Sequence, residues 1–312
     1  MKVLVVGGCG FLGSHLVDAL VSRGDIVRVY DRKPELFRPE AARVEYVYED
    51  FDDAAAIDRA AEGIDAVIHL VSTTIPQTSN ANPVFDAQSN VVGSLNLLEA
   101  CRRHGVGKSL FISSGGVIYG VPGMTPVPET HPTEPRCSYG ITKLAVEKYF
   151  ALYSYMHGLK YTVFRCGNPY GERQNPQGAQ GAVTVFLAKA AKGEEIVVWG
   201  DGSVVRDFFY VSDFVDACLL ALDRDDAGGV MNIGGGVGHS INEVIEIVRK
   251  VSGREVRVRY TPARPVDVPV NVLDISLAGE RLGWRPKVGL EEGAARTWDW
   301  INGYWLNRMG RY

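Results

Sequence analysis

The sequence predicts an α/β protein: a Rossmann-type, doubly wound parallel sheet followed by a smaller C-terminal α/β substrate-binding domain. Three observations predict it. Apolar, β-branched runs alternate with amphipathic stretches through the first half of the chain, and a glycine-rich turn joins the first run to the first helix. The composition then shifts to Gly, Asn, Gln and Pro over 168–181. The 312 residues exceed one ordinary domain, so the expected division is a first domain at 1–170, joined by later segments, and a second at 171–312.

The elements follow in order. Val3 to Val6 is a fully apolar strand, Phe11 to Arg23 has helical periodicity, and Ile26 to Asp31 is a second strand ending in an acid. A strand at Val44 to Tyr48, a helix near Ala54 to Glu62 and a strand at Ala66 to Leu70 continue the alternation, and their near-continuous apolar character implies a buried parallel sheet. A helix at Phe85 to His104 leads to a strand at Ser109 to Ser113. The loop from Val121 to Pro135 carries several X-Pro steps that forbid long helices. Tyr139 to Met156 reads as a long helix and Tyr161 to Arg165 as the next strand. In the second domain the pattern gives helices at Val183 to Lys192, Asp213 to Leu222, Ile241 to Val251 and Glu291 to Leu306, with strands at Ile196 to Trp199 and Phe208 to Val211.

Composition narrows the partners. Hydrophobic residues at 46% and charged residues at 22% are ordinary globular usage, and the expectation is a soluble protein with no membrane association. A net charge of −4 leaves no broad basic surface, which argues against nucleic acid. Five cysteines, an odd number without a CxxC pair, do not form a disulfide framework and point to a reducing cytoplasm. Six histidines lack metal-ligand spacing, so no metal is expected. The apolar start runs straight through glycines into a helix and reads as a strand rather than a leader.

Gly8-Cys9-Gly10-Phe11-Leu12-Gly13 matches GxGxxG between a strand and a helix, and Gly7 adds an overlapping pattern. Glycines there admit positive φ and let backbone approach a pyrophosphate, whose charge meets the open amides of a helix N-terminus. Asp31 ends the second strand about twenty residues on, where a carboxylate accepts both ribose hydroxyls and repels a 2′-phosphate. The cofactor reading is therefore NAD over NADP, with Arg32 directly after the acid softening the preference.

Tyr139 and Lys143 lie four residues apart on one helix face. A free phenol titrates near ~10 and is a poor base, but a cation beside it favours the phenolate. The spacing alone is common. Its order after a nucleotide half and a strand ending in Ser113-Ser114 is not.

Together with GGCGFLGSHLVDAL, SNVVGSLNLLEA, SSGGVIYG, SYGITK, RCGNPYGERQ, VVRDFFYVSD, PARPVDVPVNVLD and LGWRPKVGLEEG, these features make the chain resemble, nearly end to end, the extended short-chain dehydrogenase/reductase superfamily. Within it the resemblance is to UDP-glucose 4-epimerases and their sugar-nucleotide-modifying relatives, the NAD-dependent epimerase/dehydratase family. The resemblance implies Tyr139 as catalytic base and Lys143 on the nicotinamide ribose. Asp50 and Phe51 would flank the adenine, Asn90 would lie near the nicotinamide, and Leu70 and Ser113 would complete the cofactor set with Gly7, Gly10, Phe11, Leu12 and Gly13. It further implies Asn168, Arg206 and Arg264 on a substrate diphosphate and Asp267 on the uridine ribose.

The chain departs from the family at three places. Gly115 replaces the Ser or Thr that bonds the reacting hydroxyl, and Ser114, one residue earlier, is the substitute donor expected here. Gly116 and Val117 replace the acid pair of the dehydratases, which disfavours elimination. Asn271 stands where narrow 4-epimerases place a bulky aromatic beside the sugar C2 group, so N-acetylhexosamine nucleotides are expected alongside hexoses. The expected activity is nucleotide-sugar 4-epimerisation by transient C4 oxidation. A 4-keto sugar reductase and a non-catalytic dinucleotide sensor are the rival readings. The helices at 85–104 and 139–156 resemble the family's dimer elements, giving an expected homodimer, although Leu95, Leu98, Leu144 and Tyr149 on them would equally serve a core.

Overall fold

The computed structural model describes residues 1–37, 43–226, 228–263 and 268–308. Its first half runs β1 (Lys2–Val6), α1 (Phe11–Arg23), β2 (Ile26–Asp31), β3 (Val44–Tyr48), α2 (Ala54–Ala61), β4 (Ala66–His69), the short helices α3 (Pro76–Ser79) and α4 (Pro83–Asp86), α5 (Gly93–His104), β5 (Lys108–Ser114), α6 (Ser138–His157) and β6 (Lys160–Cys166). The second continues with β7 (Asn168–Tyr170), α7 (Ala182–Lys192), β8 (Ile196–Trp199), β9 (Val205–Tyr210), α8 (Val211–Asp223), β10 (Gly229–Ile233), β11 (Gly238–Ser240), α9 (Ile241–Ser252), β12 (Val258–Thr261), β13 (Val270–Asn271), α10 (Ser276–Leu282), α11 (Leu290–Trp300) and a last turn, α12 (Leu306–Arg308).

Seven parallel strands form the central sheet in the order β10-β6-β5-β4-β1-β2-β3. The chain winds outward from β1 in one direction, then returns to continue from β4 in the other. The carboxyl ends of β1 and β4 therefore flank the crevice where such sheets take ligands. Val3, Leu4, Val5 and Val6 are buried because helices cover both faces. On one face Leu16 and Leu20 of α1 pack with Phe214 of α8, Leu282 of α10 and Trp284. On the other, Ile57 of α2, Leu97 of α5, and Val146 and Phe150 of α6 meet Leu4, Val67 and Phe111. A further core joins Leu187 of α7, Val244 and Val248 of α9 and Ala294 of α11.

Strand β10 and helices α8 and α10 thus return from beyond residue 170 to finish the large sheet. The sequence pattern missed β10 because Asn232 interrupts a short apolar run bracketed by glycines, yet Asn232 is fully buried. The expected helix at 85–104 is also not continuous. It opens as α4, passes through a π-helical turn at Ala87–Val92, and becomes α5 at Gly93. A Cβ on Gly93 would lie 2.7 Å from the Phe51 ring, so this helix approaches Phe51 as only glycine allows. The helix expected at 291–306 likewise crosses a π-helical turn at Ile301–Trp305. The strand expected at 208–211 lies at Val205–Tyr210, where β9 pairs with β7, β11 and β13. Among the described residues, no helix is long and apolar enough to cross a membrane, and no cluster of three His, Cys, Asp or Glu could hold a metal.

Candidate active site

The glycine turn sits at the carboxyl end of β1, and its glycines serve different ends. Gly7 has φ of +91°, and a Cβ on Gly13 would lie 2.2 Å from the Gly7 carbonyl oxygen, so the turn itself requires both. Gly10 has an ordinary φ of −77°, and a Cβ there would meet only the Gly7 oxygen at 3.4 Å. Among the described residues nothing demands glycine at 10. Helix α1 begins at Phe11 and Leu12 with no side-chain cap and no acid in its first turn, leaving its N-terminus to an anion.

Asp31 is held against this turn. Its Oδ2 accepts from the Cys9 N–H (3.0 Å) and its Oδ1 from the Lys33 N–H (3.0 Å), with acceptor capacity remaining for hydroxyls. Leu70 closes the other side: its N–H donates to the Val6 carbonyl at 2.9 Å, and its Cβ is 3.4 Å from where a Gly7 Cβ would be. Arg32 and Asp50 are exposed. The Phe51 ring lies 5.0 Å from the His69 ring and within the core.

Helix α6 places Tyr139 and Lys143 on one face, with the Lys143 Nζ 5.8 Å from the Tyr139 ring centroid. Lys143 is almost fully buried. Its ammonium donates to the Ile112 carbonyl (3.0 Å) and lies 4.8 Å from the Phe111 ring centroid. Burial pushes its pKa down to about 8, against the partial opposition of Cys166, Glu147 and Asp86. The Tyr139 phenol is pushed above its ordinary value, chiefly by desolvation and then by the Cys166 and Cys137 thiols; its hydrogen bond with Ser114 works the other way. Ser114, rather than Gly115, thus meets the phenol. A Cβ at Gly115 would lie 2.6 Å from Leu273 Cδ1, so that side is filled by packing from the second half of the chain.

The neighbouring Ser113 points elsewhere. Its buried hydroxyl donates to Glu147 Oε1 at 2.6 Å. Asn90, on the π-helical turn, is also buried: its Oδ1 accepts from the Thr73 N–H (2.9 Å) and its Nδ2 donates to Asp86.

On the substrate side, β9 gathers three of the expected residues. Asn168 of β7 sits in register with Phe208, and its Nδ2 donates to the Asp207 carbonyl (3.1 Å). Arg206 faces Asn271 of β13 in register and donates to the Val268 carbonyl at 2.6 Å. Asn271 is 1% exposed. Its Nδ2 donates to the Gly115 carbonyl (3.1 Å), joining this small sheet to the Ser114 turn, and its Oδ1 has no hydrogen-bond partner among the described residues. Arg264 and Asp267 lie outside the described residues.

A family model described as the NAD dependent epimerase/dehydratase family matches residues 3–234. The chain belongs to that family. It is 36% identical over 304 residues to a protein of Methanocaldococcus jannaschii named as a putative UDP-glucose 4-epimerase, covering 96% of this chain and 98% of the relative. Among solved structures, the UDP-glucose 4-epimerase of Thermotoga maritima with UDP-glucose superposes with a TM-score of 0.92 at 38% identity, covering 97% of this chain and 99% of that one. The Thermus thermophilus UDP-glucose 4-epimerase complexed with NAD gives 0.91 at 38% identity, with 97% and 100% covered.

Sequence reasoning missed several polar residues around this epimerase/dehydratase site. Asp86 is fully buried and accepts from Ser138 Oγ (2.6 Å), Asn90 Nδ2 (2.9 Å) and the Thr74 hydroxyl, tying the start of α6 to the segment after β4. Glu147 and Arg165 form a buried pair with an Nη2–Oε2 separation of 2.7 Å, and Arg165 Nη1 also donates to Tyr119 Oη (3.1 Å). Asp207 accepts from the Gly235, Gly236 and Leu273 N–H groups, while burial raises its pKa to about 6. The one available signal was Glu147, which continues the Tyr139, Lys143 spacing by a further four residues.

Proposed function

We propose that the protein is a nucleotide-sugar 4-epimerase with resident NAD, acting on UDP-hexoses and their N-acetyl forms. The observation that carries this reading is the Tyr139 phenol, hydrogen-bonded to Ser114 and placed on one helix face with the buried Lys143 ammonium. Bound NAD supplies hydride acceptance and return at the hexose C4. The glycine turn and the α1 N-terminus hold its pyrophosphate, and Asp31 holds the adenosine ribose. Tyr139 takes the C4 hydroxyl proton, Ser114 fixes that hydroxyl by a hydrogen bond, and the Lys143 charge favours the phenolate. Asn168 and Arg206 anchor the diphosphate while the 4-keto hexose turns its other face, and Tyr139 then returns the proton. Gly116 and Val117 offer no acid or base for elimination.

Gly115 does not support a non-catalytic protein, because Leu273 packing accounts for it and Ser114 supplies the hydroxyl. Asn271 supports the N-acetyl substrates: it is smaller than an aromatic ring, and its Oδ1 can accept a hydrogen bond. Incubation with UDP-glucose, UDP-galactose and their N-acetyl forms, without added cofactor, tests the proposal. Interconversion within each pair is expected, and absence of product from all four overturns it.

The homodimer is part of the same proposal. Leu98 is fully buried in the core, so it does not serve an interface, but the same helical region exposes Val84, Phe85, Val92, Ile141, Leu152 and Tyr155. Light scattering should give twice the chain mass for the wild type and the single-chain mass for Ile141→Glu/Tyr155→Glu; a wild-type monomer contradicts the dimer. The five cysteines, four of them buried, support a reducing compartment, the cytoplasm.

A further inference from the structure

The segment that follows β7 contains a backbone outlier. Arg173 has φ of +65°, alone among the described non-glycine residues in taking positive φ. A residue with a Cβ held in the left-handed region persists only where its surroundings determine it, and the determinants here come from two separate elements. The Arg173 guanidinium pairs with Asp18 of α1 (Nη1–Oδ2 2.6 Å) and lies 5.5 Å from the ring centroid of Phe37. Phe37 ends the described part of the loop that follows β2, six residues after Asp31. Glu172 anchors the same segment: its carbonyl accepts from His15 of α1 (2.9 Å), and its carboxylate accepts from the Tyr210 hydroxyl of β9 (2.5 Å). The loop is also gripped by α12, where Arg308 donates to the Leu36 carbonyl at 3.4 Å.

From this arrangement we infer that Arg173 is a positioning residue for cofactor retention: it clasps the loop behind Asp31 against α1 and couples it to the substrate-side segment 168–174. The inference rests on the cofactor reading above. On that reading the described residues 32–37 border the adenosine ribose, so fixing Phe37 fixes the carboxylate's approach to that ribose and slows NAD release. Arginine suits the task because its planar guanidinium stacks on a ring and pairs with a carboxylate at once, which an ammonium does less well.

Release of NAD tests the proposal without reference to turnover. Arg173→Gly removes the guanidinium at a φ that glycine adopts freely, so the backbone is preserved. After passage into cofactor-free buffer, Arg173→Gly should lose NAD at least tenfold faster than wild type. Phe37→Leu should show a comparable gain, and the double variant little more than either alone, the mark of a shared interaction. Arg173→Lys should recover part of the retention. Epimerase kcat at saturating NAD should move far less than the NAD dissociation rate. Unchanged NAD release in Arg173→Gly, or additive effects of the two substitutions, would overturn the role. Absence of bound NAD from the wild type would instead count against the cofactor reading itself.

Discussion

At Tyr139 the environment opposes the chemistry in one respect: burial holds the phenol neutral, and the hydrogen bond with Ser114 works toward the phenolate. Tyr139→Phe should lower kcat by about 10³, within the range of a lost general base. Ser114→Ala, which removes the bonded hydroxyl, should lower kcat by about 10² with little change in KM; unaltered kcat would reassign the hydroxyl role. Lys143 carries a cost of its own. Its folded pKa of about 8 lies below the ordinary lysine value of 10.5, so below pH 8 the fold bears the whole penalty of a buried ammonium. From about 8 to 10.5 the folded chain has shed a proton that the unfolded chain keeps, and this contribution to stability rises with pH. Lys143→Met should therefore abolish turnover while leaving the cofactor-free protein at least as stable at pH 7, by calorimetry. A marked loss of Tm would show that the bond to the Ile112 carbonyl outweighs desolvation.

At the scale of elements, the turn between β1 and α1 separates folding from binding within one motif. Gly13→Ala places a methyl 2.2 Å from a carbonyl oxygen and should depress Tm sharply, whereas Gly10→Ala meets nothing closer than 3.4 Å and should spare Tm while weakening NAD binding at least tenfold. Equal effects on Tm would refute that division. This motif was legible in the sequence because its demands are local: glycine at fixed offsets, a helix opening behind them, an acid closing the next strand. Tyr139 and Lys143 were legible for the same reason. The π-helical turn at Ala87–Val92 was not; it follows Asp86, whose partner Ser138 lies fifty-two positions away and is invisible to local periodicity.

Across the whole molecule, long-range exchange decides what the sequence could not express. Strand β10 joins the first sheet although it follows the second domain's first helix and strands, and Asn232 within it is satisfied by Tyr119, Val127 and Asp274. The partnership of Glu147 with Arg165, the Asp207 clasp on the Gly235–Gly236 turn, and the Leu273 side chain filling the space beside Gly115 are all invisible to periodicity. The last of these matters most. Gly115 in isolation read as a missing hydroxyl, and its packing against a residue 158 positions later turns it into a spacer that brings Ser114 to Tyr139 and gives Asn271 a carbonyl to hold.

The account requires that the hydrogen removed from C4 return to C4 within one active site. The measurement that asks this directly supplies UDP-glucose deuterated at C4, in ordinary water and without added NAD, and follows the label by mass spectrometry. Retention of deuterium at C4 of the UDP-galactose formed is the predicted result. Its loss to solvent during conversion would contradict the mechanism.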